Sequence, residues 1–289
     1  MKGDVKYSYS LVLPALLVYL VIFVVPTFSG YYYALTDWSP VKQSIQFVGL
    51  DNFKSIFQNE VLLLALKNTF IYTIIVVIFK NGLGLLLAIG LNMQLKTRNF
   101  LRAVYFIPSI VSTIVIGLVF IPILQPEGIL NSFFRSLGLD FLAQYWLSDI
   151  GIVMYTISAV SIWQWAGYHM VIYLAGIQTI SSDYYEAAQI DGANRFQRFR
   201  HITLPLLAAS ININVILSLI GGLKVFSEVY ALTNGGPGNA SQVLTTSILS
   251  LFGEGRWGLG TALNVVLFII VAIIAIPLLR KMRKQEVEA

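Results

Sequence analysis

Cysteine is absent from all 289 positions, so disulfide frameworks, thiolate nucleophiles and cysteine-held metals are excluded together. Histidine is almost as scarce. His169 and His201 are the only two, they stand far apart, and each reads as a belt or surface residue rather than a metal ligand. Charge is thin as well: Lys, Arg, Asp and Glu make up 11% of the chain, against roughly a quarter in soluble domains. No G-x-x-x-x-G-K-[ST] phosphate loop, no H-E-x-x-H and no nucleophile elbow occurs. The chain therefore holds no ATP in a phosphate loop, and no metal or other cofactor is expected on it. Nor does it show the inverted pair of short broken apolar segments carried by many secondary transporters.

What fills the space is apolar. Hydrophobic residues reach 57%, which predicts an all-α polytopic membrane protein embedded in lipid. Six stretches meet the ~20 residues needed to cross the hydrocarbon: Ser10–Tyr33, Asn68–Met93, Ala103–Leu124, Ile150–Ile180, Leu206–Tyr230 and Leu259–Leu279. Lys2 and Lys6 before the first of these imitate a signal peptide, but the apolar run is too long and no small-residue cleavage site follows. It is expected to stay as an uncleaved first span, residues 10–33. The whole chain, 1–289, is expected to form one transmembrane domain with its core at about 66–281. The net charge of +5 then belongs to loops at the membrane face, not to nucleic-acid binding.

Lysine and arginine orient such a protein. With the N-terminus inside, Lys2, Lys6, Lys96, Arg98, Arg102, Arg195, Arg198, Arg200, Arg280, Lys281, Arg283 and Lys284 fall in the cytoplasm, and Lys42, Lys54, Lys67, Arg135 and Arg256 outside. Both termini are thus expected to be cytoplasmic. The outer loops carry Trp38, Trp146 and Trp257 as interfacial anchors. Loop Thr36–Leu66 is expected to hold a short helix near Asp51–Phe57 with Asp51 as its cap, and loop Gln125–Asp149 to fold back on the surface. TNGGPGNAS, Thr233–Ser241, reads as a turn-rich outer loop.

One stretch is wet. SSDYYEAAQIDGANRFQRFRHITLP, Ser181–Pro205, interrupts two apolar runs with alternating charge. Asp183 and Glu186 have capping-box spacing, Gly192 is placed to stop the helix, and Phe196 and Phe199 give the next segment, Ala193–His201, an apolar edge among three arginines. Pro205 marks the change of direction into the following span. The prediction is a helix–Gly–helix hairpin at the membrane surface.

Polar groups at membrane depth point to function by default. They are Lys80, Asn81, Asn212, Asn214, Lys224, Glu228 and Asn264. Lys224 and Glu228, at i and i+4, are expected to neutralise each other on one helical face. Two readings stand side by side: a polar path for a hydrogen-bonding solute, or interhelical bonds that hold the bundle together. Lys80 faces the path, pairs with a neighbouring subunit, or snorkels to an interface.

The spacing Glu186-Ala187-Ala188, Gly192, Ile202, Leu204 and Pro205 resembles the EAA loop of bacterial ABC importer permeases, and the surrounding text is similar to their carbohydrate-uptake branch. Agreement continues in order through Thr36-Asp37-Trp38, Gly49 to Phe53, Arg102 with Phe106-Ile107-Pro108, Gly128 to Asn131, Ile162-Trp163, Gly167-Tyr168 and Leu232 to Pro237. Within that branch the chain is similar to the first of two maltose-importer membrane subunits. Glu228, where an aspartate is usual, and Lys80 depart from the pattern.

The resemblance implies a sugar-translocating permease subunit of the bacterial cytoplasmic membrane. Its partners would be a second homologous permease, two ATP-binding subunits that carry the ATP and Mg, and an extracellular solute-binding protein landing near Thr233–Asn239. Tyr185, Glu186, Ala187, Ala188, Asp191, Gly192, Ile202, Leu204 and Pro205 would form the loop that couples it to the ATPases. Other polar solutes (glycerol phosphate, a polyol, an acidic oligosaccharide) remain alternatives, as does an ion-driven carrier, for which Glu228 is the one candidate carboxylate.

Overall fold

The computed structural model describes residues 12–93 and 95–287, with side chains as far as Met282. Lys2, Lys6, the start of the first span at Ser10, and the side chains of Arg283 and Lys284 lie outside the described residues. Among the described residues the chain is helical, and its one β pairing is an isolated bridge between Thr36 and Phe47.

In chain order the elements are α1 (Leu13–Tyr33, with a π turn at Leu20–Val24), α2 (Asp51–Gln58), α3 (Glu60–Asn92), α4 (Arg98–Ile110), α5 (Thr113–Leu124) and α6 (Ile129–Ser136). Then come α7 (Val153–Gln178), α8 (Ser182–Ile190), α9 (Arg195–Arg198), α10 (Ala208–Leu223), α11 (Ser227–Leu232), α12 (Leu244–Gly253) and α13 (Trp257–Val287). Four stretches are long and apolar enough to cross a membrane: Leu13–Tyr33, Glu60–Asn92, Thr113–Ser136 and Trp257–Met282. Arg195–Leu206 with Ala208–Leu223, bent by 68°, makes a fifth. Helix α7 is long enough too, but Thr156, Ser158, Ser161, Gln164 and His169 lower its hydropathy. Those residues are buried against protein, where a helix can carry polar groups that lipid would not tolerate.

Contacts divide the chain into two compact units. One holds the chain up to Asn59 together with Ile248–Val266. In it Trp38 stacks on Tyr33 at 4.1 Å between ring centroids and meets Trp257 edge-on at 4.9 Å. Asn52 donates to the carbonyls of Ala34 and Thr36 at 2.9 and 2.8 Å, which ties α2 to the loop. Helix α2 lies where expected, but Asp51 is its first residue rather than its cap. Asp37 bonds Lys42 and accepts from the Gln46 N–H, and these contacts hold its carboxyl below the usual range.

The second unit holds Glu60–Ser247 and the chain from Leu267. Its centre is α3 against α7, with α10 and α4 packed on that pair and α11 on α5. Tyr72, Val76, Ile116, Ile157, Val160, Val225 and Val229 form one apolar cluster, and Ala88, Leu91, Met170, Tyr173, Leu174 and Leu207 another. Small residues allow the close approach. A Cβ on Gly84 would stand 2.8 Å from the His169 Cβ, and one on Gly167 would stand 1.8 Å from the Tyr105 carbonyl oxygen.

Two expected spans are broken. Ala103–Leu124 is interrupted at Val111 and Ser112, both extended, because Pro108 removes a helical donor and Gln164 captures the Val111 carbonyl at 3.1 Å. Leu206–Tyr230 ends at Leu223 and restarts at Ser227, with the freed Val225 carbonyl taken by the Thr245 hydroxyl. The second span, by contrast, starts eight residues early, at Glu60.

The 125–149 connection folds around one side chain. Asn131, buried at 2% exposure, donates to the carbonyls of Pro126 and Gln144 and accepts from the Gln144 amide and the Trp146 ring nitrogen. Asn131→Ala leaves those groups unpaired, at about 1–3 kcal/mol for a buried orphan. Faster limited proteolysis between 126 and 147, with a lowered melting temperature in detergent, is the expected result. Turn-rich Thr233–Ser241 is likewise more than a surface loop: Asn234, Gly235, Gly238 and Asn239 take positive φ, and the chain sinks to a fully buried Ser241.

Candidate functional site

Two places concentrate the polar side chains, a hairpin and a buried network. The hairpin begins at Ser181, whose hydroxyl accepts from the Asp183 N–H at 3.3 Å. Ser181 is the N-cap of α8, so the expected cap at Asp183 is displaced by two residues and Asp183 sits in the first turn. At the other end Gly192, at φ +76°, closes the helix: its N–H bonds the Gln189 carbonyl at 3.1 Å and the Ala193 N–H bonds the Ala188 carbonyl at 2.8 Å.

The second arm is shorter than the expected helix Ala193–His201. Asn194 and Gln197 form a capping box, whereas the spacing predicts one at Asp183 and Glu186. One α turn follows, then a π turn over Phe199–Thr203, then Leu204–Leu206. The Tyr185 and Thr203 hydroxyls, 3.0 Å apart, pin the arms together, and Arg198 reaches Gln189 at 3.4 Å. No residue of α8 is buried, so Glu186, Ala187 and Ala188 lie open or half-open. Ile202 and Pro205, at the base of the hairpin, lead into α10.

The network lies where α3, α7 and α10 meet. Asn81 accepts from the Tyr173 hydroxyl at 2.8 Å and donates to the Ser218 hydroxyl at 2.8 Å. Ser218 donates to the Asn214 carbonyl at 2.8 Å, and the Asn214 side-chain oxygen meets His169 Nδ1 at 2.7 Å. Nearby, Tyr72 donates to Ser161 at 2.7 Å, and Ser161 to Glu228 at 3.3 Å. Lys80, at 7% exposure, does not snorkel: it lies on the α3 face packed against α7, its ammonium 5.9 Å from the centre of the Trp165 ring. It forms no ion pair among the described residues.

Of the seven polar residues singled out in the sequence, the structure brings Asn81, Asn214, Lys80 and Glu228 into one neighbourhood, together with Tyr72, Ser161, Trp165, His169 and Tyr173, which the sequence reading missed. His169 is buried and bonded rather than at a belt or surface. The signal available was position: 161, 165, 169 and 173 recur every four residues along one uncharged helix. Lys224 is an exposed helix cap and makes no pair with Glu228, because the helix breaks between them. Asn212 lies apart, bonded to the Met282 carbonyl at 3.5 Å, and Asn264 is exposed on α13. Among the described residues no cluster of metal-ligating side chains occurs.

Among the described residues the structure is thus a helical bundle with a polar interior, a buried lysine and an open surface hairpin, the build of a membrane-embedded component. Residues 80–284 match the family described as binding-protein-dependent transport system inner membrane component, and the chain belongs to that family. It is 38% identical to the probable ABC transporter permease YurN of Bacillus subtilis, over 91% of each chain. It is 34% identical to the arabinooligosaccharides permease AraP of the same organism, over 94% of this chain and 89% of that one. Its fold superimposes with a TM-score of 0.84, at 26% identity over 96% of this chain and 94% of the other, on a chain of a bacterial ABC transporter that imports the acidic polysaccharide alginate. That transporter has also been solved with an alginate pentasaccharide-bound periplasmic protein.

Proposed function

We propose that the chain is one of two permease halves of an ATP-driven importer of oligosaccharides. The observation that carries this reading is the hairpin Ser181–Pro205: it has the EAA spacing, is fixed internally by Ser181, Gly192 and the Tyr185–Thr203 contact, and buries nothing of α8. A rigid, open helix at the end of a membrane bundle is a docking element. In this reading the chain crosses six times, α4 and α5 counting as one broken span, with both termini and the hairpin in the cytoplasm, and the excess of lysine and arginine on that side supports it. An ATPase subunit takes α8 into a groove, and closure of the ATPase pair moves α10 through the π turn and the 68° bend. A periplasmic binding protein delivers the sugar on the opposite face.

The network around Asn81, Asn214, Ser161 and Trp165 is of the polar, aromatic-flanked kind that suits a sugar, and its groups, now bonded to one another, would exchange those bonds for the solute's hydroxyls as the path opens. Lys80 favours a second reading of the solute as an acidic sugar, since its ammonium stands in the same neighbourhood with no salt bridge. Membranes carrying Lys80→Met are expected to lose uptake of a uronate oligosaccharide by about tenfold or more, the loss of one charge-assisted contact of ~1.5–3 kcal/mol. A neutral oligosaccharide would be taken up as before. Equal uptake of both by variant and wild type would return Lys80 to a packing role.

A further inference from the structure

The hairpin arms and the ends of α3 and α7 border an open cavity of about 550 Å³ whose walls have two characters. Met93 and Ile177, from the ends of two apolar helices, and Phe199 make an apolar floor. Arg195 and Arg198 stand over it, with the Tyr185 and Thr203 hydroxyls bridging the arms at its side. Neither arginine forms a salt bridge among the described residues, and Arg198 reaches only the neutral amide of Gln189.

The same end of the bundle holds further cations. Arg102 reaches the Leu91 carbonyl at 3.4 Å, which places the start of α4, with Lys96 and Arg98, beside the end of α3. None of these three is in a salt bridge among the described residues either. The acids of the hairpin, Asp183, Glu186 and Asp191, all belong to the first arm and its cap, and none of them lines this cavity. A cavity with a greasy floor and an unneutralised cationic roof, at the level where apolar helices end, matches an amphiphile with a negative head.

We propose that this cavity binds the phosphate of an anionic phospholipid of the inner leaflet, and that the bound lipid steadies the hairpin in its docking posture. The inference rests on the cytoplasmic placement of the hairpin argued above. Arg195 and Arg198 clasp the phosphodiester as charged donors, and Tyr185 or Thr203 donates to it. The first acyl carbons lie on Met93, Ile177 and Phe199. A lipid seated there links the two arms to α3 and α7, so the hairpin moves with the bundle rather than independently of it.

The test uses the assembled transporter with its ATPase and partner permease, reconstituted in vesicles of phosphatidylcholine with increasing phosphatidylglycerol. Solute-stimulated ATP hydrolysis of the wild type is expected to rise with the anionic fraction and saturate. In the Arg195→Gln/Arg198→Gln variant the half-saturating fraction shifts upward by about thirtyfold, at roughly fivefold for each arginine, or the response is lost. An unchanged lipid response in the variant, or a wild type indifferent to phosphatidylglycerol, overturns the proposal. So does a rise produced in phosphatidylcholine by inorganic phosphate alone, since the site would then take a soluble anion. Loss of ATP hydrolysis by the variant in every lipid would mean that the arginines serve ATPase docking and also overturns it. Should even the wild type fail to couple ATP hydrolysis to uptake in any lipid, the importer reading itself fails, a distinct result.

Discussion

Glu186→Lys is expected to leave the protein folded and inserted while abolishing transport. The carboxylate is exposed on a helix with no buried residue, so its replacement breaks no internal contact and should change the melting temperature little, within about 0.5 kcal/mol of stability. If α8 docks in an ATPase groove as proposed, the same change would convert an attractive contact into a repulsive one. Breaking one partner of an interfacial charge pair costs about 2–5 kcal/mol, and at the low end of that range assembly weakens about thirtyfold. Solute-stimulated ATP hydrolysis in proteoliposomes, with pull-down of the ATPase subunit, checks it. Wild-type hydrolysis in a Glu186→Lys transporter would remove the hairpin from the coupling role.

Gly167→Val should act in the opposite way, through the fold and not through a partner. The Cβ it adds would stand 1.8 Å from the Tyr105 carbonyl oxygen and 2.4 Å from its carbon. Both are backbone atoms, so no side chain can swing aside, and α4 must lift from α7. Overpacking of this kind costs about 1–3 kcal/mol or more. It also strains the seam where Gln164 holds the break between α4 and α5. A clear drop in melting temperature in detergent and poor recovery of intact protein are expected. Gly82→Ala is the matched control: nothing lies within 4 Å of a Cβ there, and alanine favours the helix. If both variants melted alike, close approach at Gly167 would not be what holds α4 to α7.

The helices and the hairpin were legible because their causes are local. Apolar length marks a span, and Gly192 stops a helix wherever it needs a positive φ. The breaks at Val111 and Lys224 were not, because each depends on a distant side chain that donates to a freed carbonyl: Gln164 to that of Val111, Thr245 to that of Val225. Capping went astray for a related reason. Ser181, Asp183 and Asn194 all suit an N-cap by type, and only the path of the chain decides which hydroxyl or amide meets a free N–H.

The polar network divides the same way. Asn81, Asn214 and Lys80 stood out as anomalies in apolar text, whereas Tyr72, Ser161 and Trp165 are ordinary in such text and become notable only when three helices bring them together. Lys224 and Glu228 show the reverse error. Their spacing fits an ion pair on a continuous helix, and the helix is not continuous.

Helix α3 has 33 residues, which at 1.5 Å each is about 50 Å, well beyond the ~30 Å of hydrocarbon in a bilayer. Tilt alone cannot bring the whole helix within the hydrocarbon, so part of α3 extends beyond it. This one rod therefore reaches from one membrane surface to the other without a joint. Membrane thickness acts on it as a lever: a thicker bilayer stands it upright, a thinner one lays it over, and whatever rests on either tip is carried along.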